Sequence, residues 1–170
     1  MFATRAHRAG ERVLPIDDSR SVTDDAPLDP DKGEFEHHQD YLWTHNVLMQ
    51  EPERFINHCC EPNTYIKTFN GVRWVVAYRD IELADEITYD YCINSYGQET
   101  WECRCGHPKC RKLHRTDFFE LPDEKLREYL PVLDDWYVAL AGDRVAAALH
   151  RLGLSDDLKP IVGRPRRSRR

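Results

Sequence analysis

Three cysteines lie within eight residues, Cys103-x-Cys105-x4-Cys110, around Gly106 and Pro108, which let the chain fold back on itself. Thiolates this close repel one another unless a cation sits among them. A tetrahedral zinc meets that need, with sulfurs at about 2.3 Å and a fourth soft ligand from elsewhere in the chain. Cys59, Cys60, Cys92, His107 and His114 are available for that place, and spacing alone does not choose among them. Cys59 and Cys60 are adjacent, so both thiols cannot easily face one metal. One is expected as a ligand and the other as a buried or redox-active thiol. Zinc comes ahead of disulfides because MFATRAHRAGER lacks the apolar core of a secretory leader, and a chain that is not exported keeps its thiols reduced.

The chain of 170 residues has the length of one domain with a short appendage. Hydrophobic residues make up 41% and charged residues 32%, enough apolar material for one modest core, which excludes wholesale disorder. No run of 18 apolar residues occurs, so no membrane span is expected. Net charge is −6 but unevenly spread. Residues 161–170 hold five arginines and no acid, leaving residues 1–160 with 19 basic groups against 30 acidic ones, a net −11. Such a body repels a nucleic-acid backbone and attracts a basic peptide.

Ala9-Gly10-Glu11 before Val13 and Leu14 reads as a turn entering a strand. Residues 17–40 are acidic and poor in large apolar side chains, and are expected as a surface insertion or mobile loop. Asn70-Gly71 between Tyr65-Ile66 and Trp74-Val75-Val76 predicts a hairpin with a type I′ turn. Ile87–Tyr91 is β-branched and aromatic, hence a further short strand. Residues 102–112 are too irregular for a ladder. After Pro122 the period turns helical through Leu126, Tyr129, Leu130 and Leu133, and Pro131 breaks it. Asp134 is placed to cap a second helix through Trp136, Tyr137 and Leu140, ending near Gly142. A third starts at Asp143, with Val145, Ala148, Leu149 and Leu152 inward and Gly153 as its stop. His37, His38, His45 and His150 read as ordinary loop or surface histidines. Residues 155–170 read as a disordered, solvated basic tail.

Arg54-Phe55-Ile56-Asn57-His58-Cys59-Cys60-Glu61-Pro62-Asn63 resembles the RFINHSCEPN signature of SET-domain protein-lysine methyltransferases, with Cys59 where the family usually has serine. Asp85-Glu86-Ile87-Thr88-Tyr89-Asp90-Tyr91 is similar to the family's GEELTYDY signature. Cys103-Arg104-Cys105-Gly106 through Cys110-Arg111 resembles the post-SET zinc motif, CxCG…CR. Phe2-Ala3-Thr4-Arg5 with Ala9-Gly10-Glu11 is similar to the family's opening strand and turn. The resemblance covers about residues 1–115 and implies a mainly β fold with some α, of the SET (β-clip-like) kind. Small sheets and a threaded substructure carrying residues 54–63 are expected. The implied layout is a SET domain over 1–101, a post-SET loop over 102–115, a helical segment over 116–154 and the tail over 155–170.

The resemblance also implies an activity: transfer of a methyl group from S-adenosylmethionine to a lysine in a basic protein, a histone or another. It assigns Tyr91 the catalytic position and Tyr89 the position that tunes product state, with tyrosine there implying mainly monomethylation. Two residues apart on a strand, these rings share one face and can line a narrow passage, although paired core tyrosines would look the same in sequence. Asn57, His58 and Tyr91 take the cofactor positions. Arg54 can reach the same end or form a surface salt bridge, and Leu113 with His114 can pack on adenine. Cys60 completes a four-thiolate structural zinc with Cys103, Cys105 and Cys110. Family members usually carry a Gly-x-Gly loop before the opening strand, and none precedes Phe2 here. That leaves a second reading, a zinc-stabilised peptide-binding module with a SET fold and no transfer activity. A third, thiol-redox chemistry at Cys59-Cys60, is disfavoured because no Cys-x-x-Cys occurs and a vicinal disulfide is a strained ring. Arg164-Pro165-Arg166-Arg167-Ser168-Arg169-Arg170 reads as a nuclear address or nucleic-acid anchor, or as the terminus of a cytoplasmic bacterial-type protein, which the compact chain favours.

Overall fold

The structure, a computed structural model, describes residues 1–154; the basic tail lies outside the described residues. Ten short strands come first: β1 (Arg12–Pro15), β2 (Ser21–Val22), β3 (Gln39–Leu42), β4 (His45–Leu48), β5 (Asn57–His58), β6 (Thr64–Phe69), β7 (Val72–Ala77), β8 (Thr88–Tyr89), β9 (Tyr96–Glu102) and β10 (Leu113–Asp117). Helices α1 (Asp123–Tyr129), α2 (Asp135–Leu140) and α3 (Gly142–Leu152) follow. Among the described residues the strands form a five-stranded sheet in the order β1-β7-β6-β8-β5, a three-stranded sheet β2-β4-β3, and the hairpin β9-β10. The fold is mainly β, in small sheets, with a C-terminal helical segment.

The β6–β7 hairpin pairs Phe69 with Val72 across Asn70 and Gly71, whose φ values of 51° and 81° are those of a type I′ turn. Its apolar face, with Ile66, Val75 and Ala77, packs against Ala3, Ile16, Ile56, Ile81 and Ile87 as one core. A second core gathers the helices: Leu126, Tyr129 and Leu133 meet Trp136, Tyr137, Val145, Leu149 and Leu152 over Phe118. Gly153, at φ 68°, ends α3 by donating to the carbonyls of His150 and Leu149. Pro131 ends α1, and a single 3-10 turn carries Leu130–Val132.

Four local expectations differ from what is found. Residues 17–40 lie at the surface but carry β2, two 3-10 turns and the start of β3. Ion pairs hold them: Arg20 Nη2 to Glu34 Oε2 at 2.7 Å, and Arg73 Nη1 to Asp40 Oδ2 at 2.6 Å. The Ile87–Tyr91 strand is only Thr88–Tyr89, because Asp90 turns inward to meet Arg111 and the chain leaves the sheet. Asp134 stands at the α2 N-cap without capping it; its carboxylate accepts from the Thr68 hydroxyl at 2.7 Å instead. Leu140, placed inward by the helical period, is exposed because the helix ends there.

Candidate functional site

Strand β8 comes late in the chain yet sits between β5 and β6, parallel to both, with His58 and Thr64 each opposite Tyr89. The β5–β6 connection, residues 59–63, therefore arches over β8, and the chain threads beneath it. Side chains hold the crossing. Asn63 Nδ2 donates to the Glu86 carbonyl at 2.8 Å, and its Oδ1 accepts from the Thr88 amide at 2.9 Å. The Thr64 hydroxyl donates to the Thr88 carbonyl at 2.8 Å, and the Cys59 amide to the Tyr89 carbonyl at 3.1 Å. This crossing brings residues 54–63 against residues 86–91.

Tyr91 follows β8 in a turn, so strand alternation does not set its direction; the crossing does. Its hydroxyl donates to the Ile56 carbonyl at 2.8 Å, and its ring centroid lies 4.7 Å from that of Tyr89. Both rings line a cleft of about 320 Å³ together with Tyr41, Met49 and Trp101. Burial pushes the Tyr91 hydroxyl up to about 12 and the Tyr89 hydroxyl well above its ordinary value, so both are protonated at neutral pH. Glu36, Asp40 and Glu99 also line this cleft. An aromatic passage with carboxylates around it draws a cation in and then confines it.

The long β9–β10 hairpin, with Leu113 opposite Glu102, carries the cysteine-rich loop at its tip. The sulfurs of Cys60, Cys103, Cys105 and Cys110 all lie within 4.8 Å of one another, with Cys60 and Cys103 at 3.6 Å. A tetrahedron with 2.3 Å bonds has edges of about 3.8 Å, so the group fits one metal ion. Of the five possible fourth ligands, the structure brings Cys60. Cys92 is buried elsewhere, with its thiol donating to the Arg115 carbonyl at 2.7 Å, and His107 Nδ1 accepts from the Lys109 amide. Burial pushes the Cys60 and Cys103 thiols up. At Cys105 burial acts the same way, but hydrogen bonds from the backbone of Cys60 and His107 and from neighbouring thiols win and bring it to about 6.

Arg111 ties loop to crossing. Its guanidinium donates to both oxygens of buried Asp90 at 2.6 and 2.9 Å, and its amide to Cys60 Sγ at 3.4 Å. Burial alone would raise the Asp90 carboxyl; the Arg111 bonds outweigh it and hold the group below its ordinary value. His58 stands between the two halves of the site: Nδ1 accepts from the Tyr91 amide at 3.2 Å and Nε2 lies 3.4 Å from Cys60 Sγ. Its ring meets His114 edge-on at 4.4 Å, and His114 lies tilted against Trp101 at 4.1 Å. Burial, reinforced by His58, brings His114 down to about 4.

Asn57, the strand neighbour of His58, is exposed, and its amide donates to Glu86 Oε1 at 2.8 Å. Arg54 pairs with Glu51, yet its buried Nε has no partner among the described residues, and its guanidinium lies 5.1 Å from the half-exposed ring of Phe55. A buried N–H with no partner, a guanidinium over one ring face and a half-exposed Phe55 beside Asn57 suit a polar ligand with a flat ring system. Leu113 follows the cysteine loop at the start of β10. Half-exposed, it opens on the other face of its strand from His114, into a cleft of about 340 Å³ with Cys92 and Leu121. Sequence reasoning missed Trp101, Arg111 and Asp90. Only the position of Asp90 between the two tyrosines, and of Arg111 directly after Cys110, could have marked the pair.

Comparison with known proteins gives matches confined to part of the chain. The H3 lysine-36 specific histone-lysine N-methyltransferase of Candida albicans is 41% identical over 63 residues, covering 35% of this chain and 8% of that protein. Histone-lysine N-methyltransferase trithorax of Drosophila melanogaster is 44% identical over 77 residues, 43% of this chain and 2% of that protein. The chain thus spans less than a tenth of the length of these relatives. Among solved structures, KRYPTONITE in complex with mCHG DNA and SAH has a TM-score of 0.45 at 22% identity, over 65% of this chain and 25% of that one. The SET-domain family model matches residues 1–92, more than half of the chain and inclusive of the threaded crossing with Tyr89 and Tyr91, and the chain belongs to the SET-domain family.

Proposed function

We propose that this chain is a protein-lysine N-methyltransferase acting on a lysine in a basic protein segment, histone or other. The observation that carries this reading is the Tyr91 hydroxyl, fixed on the Ile56 carbonyl beside Tyr89 in an aromatic cleft lined with carboxylates. A lysine amine has an ordinary pKa of about 10.4 and cannot attack while protonated. The acidic lining favours entry of the charged form, and loss of water around the amine in the narrow passage then lowers its pKa, easing loss of the proton to water. Tyr91 orients the neutral nitrogen, and such alignment supplies several kcal/mol of the barrier reduction. Tyr89 narrows the space around the nitrogen, which favours monomethylation.

S-adenosylmethionine, when bound, supplies a sulfonium methyl. Asn57, His58, Arg54 and the Tyr91 ring would hold it, Arg54 through its unpartnered Nε. Leu113, half-exposed beside an open cleft, would pack on the cofactor's adenine. Cys60, Cys103, Cys105 and Cys110 would hold one zinc whose four thiolates leave no place for water, so its work is structural. Held there, it would pin the loop of residues 103–112 against the 57–63 crossing. The names of the relatives fit a nuclear setting rather than a cytoplasmic one. Any nucleic-acid contact is left to the Arg164–Arg170 tail.

Calorimetric titration with S-adenosylmethionine, followed by radiolabelled methyl transfer onto core histones and a cell extract, tests this reading. Heat of binding and a labelled lysine are expected. Absence of both leaves a zinc-stabilised peptide-binding module.

A further inference from the structure

A second opening, of about 410 Å³, lies on the other side of Arg73, between the β3–β4 turn and the start of α2. Trp43 forms one wall. It is 48% exposed and sits at φ 56°, a left-handed conformation uncommon for so bulky a residue. Its ring centroid lies 6.3 Å from that of Trp136 at an angle of 43°, so the two indoles make an open wedge. Asp18, Asp134 and Asp135 also line it.

Asp134 is the decisive group. Its side chain is fully buried; Oδ2 accepts from Thr68, and Oδ1 has no partner among the described residues. Nor has the buried Nε1 of Trp136. A buried carboxylate oxygen left unpaired is costly and calls for an N–H or O–H donor. The protein's own cations are already engaged. Arg73 binds Asp18 at 2.9 Å and Asp40 at 2.6 Å, and Lys67 Nζ donates to Asp135 at 2.7 Å and the Leu133 carbonyl at 2.6 Å. The wedge's three carboxylates, Asp18, Asp134 and Asp135, thus face Lys67 and an Arg73 that is shared with Asp40.

We propose that this wedge binds the guanidinium of an arginine side chain carried by a basic protein segment. A guanidinium is planar, stacks on an indole face and presents N–H donors in a fork. It therefore satisfies the open indole, the unpaired oxygen and the surplus charge at once. A quaternary ammonium satisfies the indole and the charge but brings no N–H for Asp134. An ammonium brings N–H donors but stacks less well. Arg73 lines both this wedge and the cleft of Tyr89 and Tyr91, so the two openings share a wall. The position of the site beside substrate rests on the methyltransferase reading; the site itself does not.

The test follows the indole N–H signals of the isotope-labelled full chain during titration with Nα-acetyl-arginine amide, Nα-acetyl-lysine amide and Nα-acetyl-trimethyllysine amide. The chain has four tryptophans, so the signals are separable. Saturable shifts of Trp43 and Trp136 are expected, strongest for arginine and weakest for trimethyllysine. Trp43→Gly suits the positive φ, folds and removes the wall; Asp134→Asn keeps an acceptor for Thr68 but loses the charge. Each is expected to weaken arginine binding by about tenfold or more. No saturable shift, shifts confined to Trp74 and Trp101, trimethyllysine binding tightest, or unchanged affinity in Trp43→Gly would each overturn the proposal. None of these readouts involves methyl transfer, so its failure and that of the methyltransferase reading are distinguishable.

Discussion

At the scale of single residues, the Tyr91 hydroxyl closes the crossing by bonding to Ile56, and in the proposed reaction it would also orient the lysine nitrogen. Tyr91→Phe keeps the ring on Tyr89 and His58, so the fold should survive with a loss of about 1 kcal/mol. Turnover should fall on the order of 10²–10³-fold with little change in KM for a peptide, because the lost contact acts in the transition state. Steady-state kinetics beside a thermal melt separates the two effects. Tyr89 is different. Its hydroxyl donates to Met49 Sδ at 3.8 Å, a weak bond outside the crossing, so Tyr89→Phe frees space without breaking the crossing. The share of di- and trimethyl product should then rise, read by mass spectrometry of one peptide. A trimethyl product from the wild type would contradict the role given to Tyr89.

Among the elements, the β9–β10 hairpin decides whether the cysteine loop reaches the crossing. Gly97 sits where an added Cβ would meet the Thr116 hydroxyl at 2.5 Å. That hydroxyl accepts from the Glu99 amide at 3.0 Å, so it cannot give way freely. Gly97→Ala is therefore expected to destabilise the chain by about 1–3 kcal/mol, measured by denaturant unfolding. The proposed zinc would act on the same element from its other end. A strong chelator should lower the melting temperature and raise proteolysis within residues 103–112, and one zinc per chain should restore both. Unchanged melting after the metal is stripped would contradict the pinning role.

These elements also show what a sequence reveals and what it hides. Asn70-Gly71, the inward stripe of α3 and the cysteine spacing were legible because each expresses a local rule: φ sign, helical period, thiol chemistry. The β9 strand, YGQETWE, was not, since it is exposed along most of its length and shows no alternation. Residues 17–40 lack an apolar pattern because ion pairs to Arg20 and Arg73 hold them. The crossing was legible only through resemblance. Strands of two residues carry no register of their own, and here Asn63 and Thr64 supply it. Of the site, spacing marked Cys103, Cys105 and Cys110, and the resemblance added Cys60, Tyr89 and Tyr91, whereas the Asp90–Arg111 pair is seen in the geometry.

For the molecule as a whole, the site sits where charge and burial meet. His114 is held at about 4 and His58 is lowered, both chiefly by burial, so the fold binds them neutral. In the unfolded chain histidine titrates near 6.5, so between pH 6.5 and 4 the unfolded state holds more protons. Stability from these groups is present above that window and is lost as pH falls through it. Melting temperature should decline across this range, and His114→Phe should show a shallower decline in the same buffers. An identical slope would contradict a buried neutral imidazole at this position. The acidic body, net −11 over residues 1–160, suits a basic substrate, and its attraction should weaken with salt. The most direct test of the central claim compares wild type with Tyr91→Phe, each shown to be folded and zinc-bound, in transfer from labelled S-adenosylmethionine to core histones, read by mass spectrometry of the modified lysine. Methylated lysine from the wild type and its near-complete loss in Tyr91→Phe is the expected result. Equal methylation by both proteins, or none by a wild type that binds the cofactor, would contradict it.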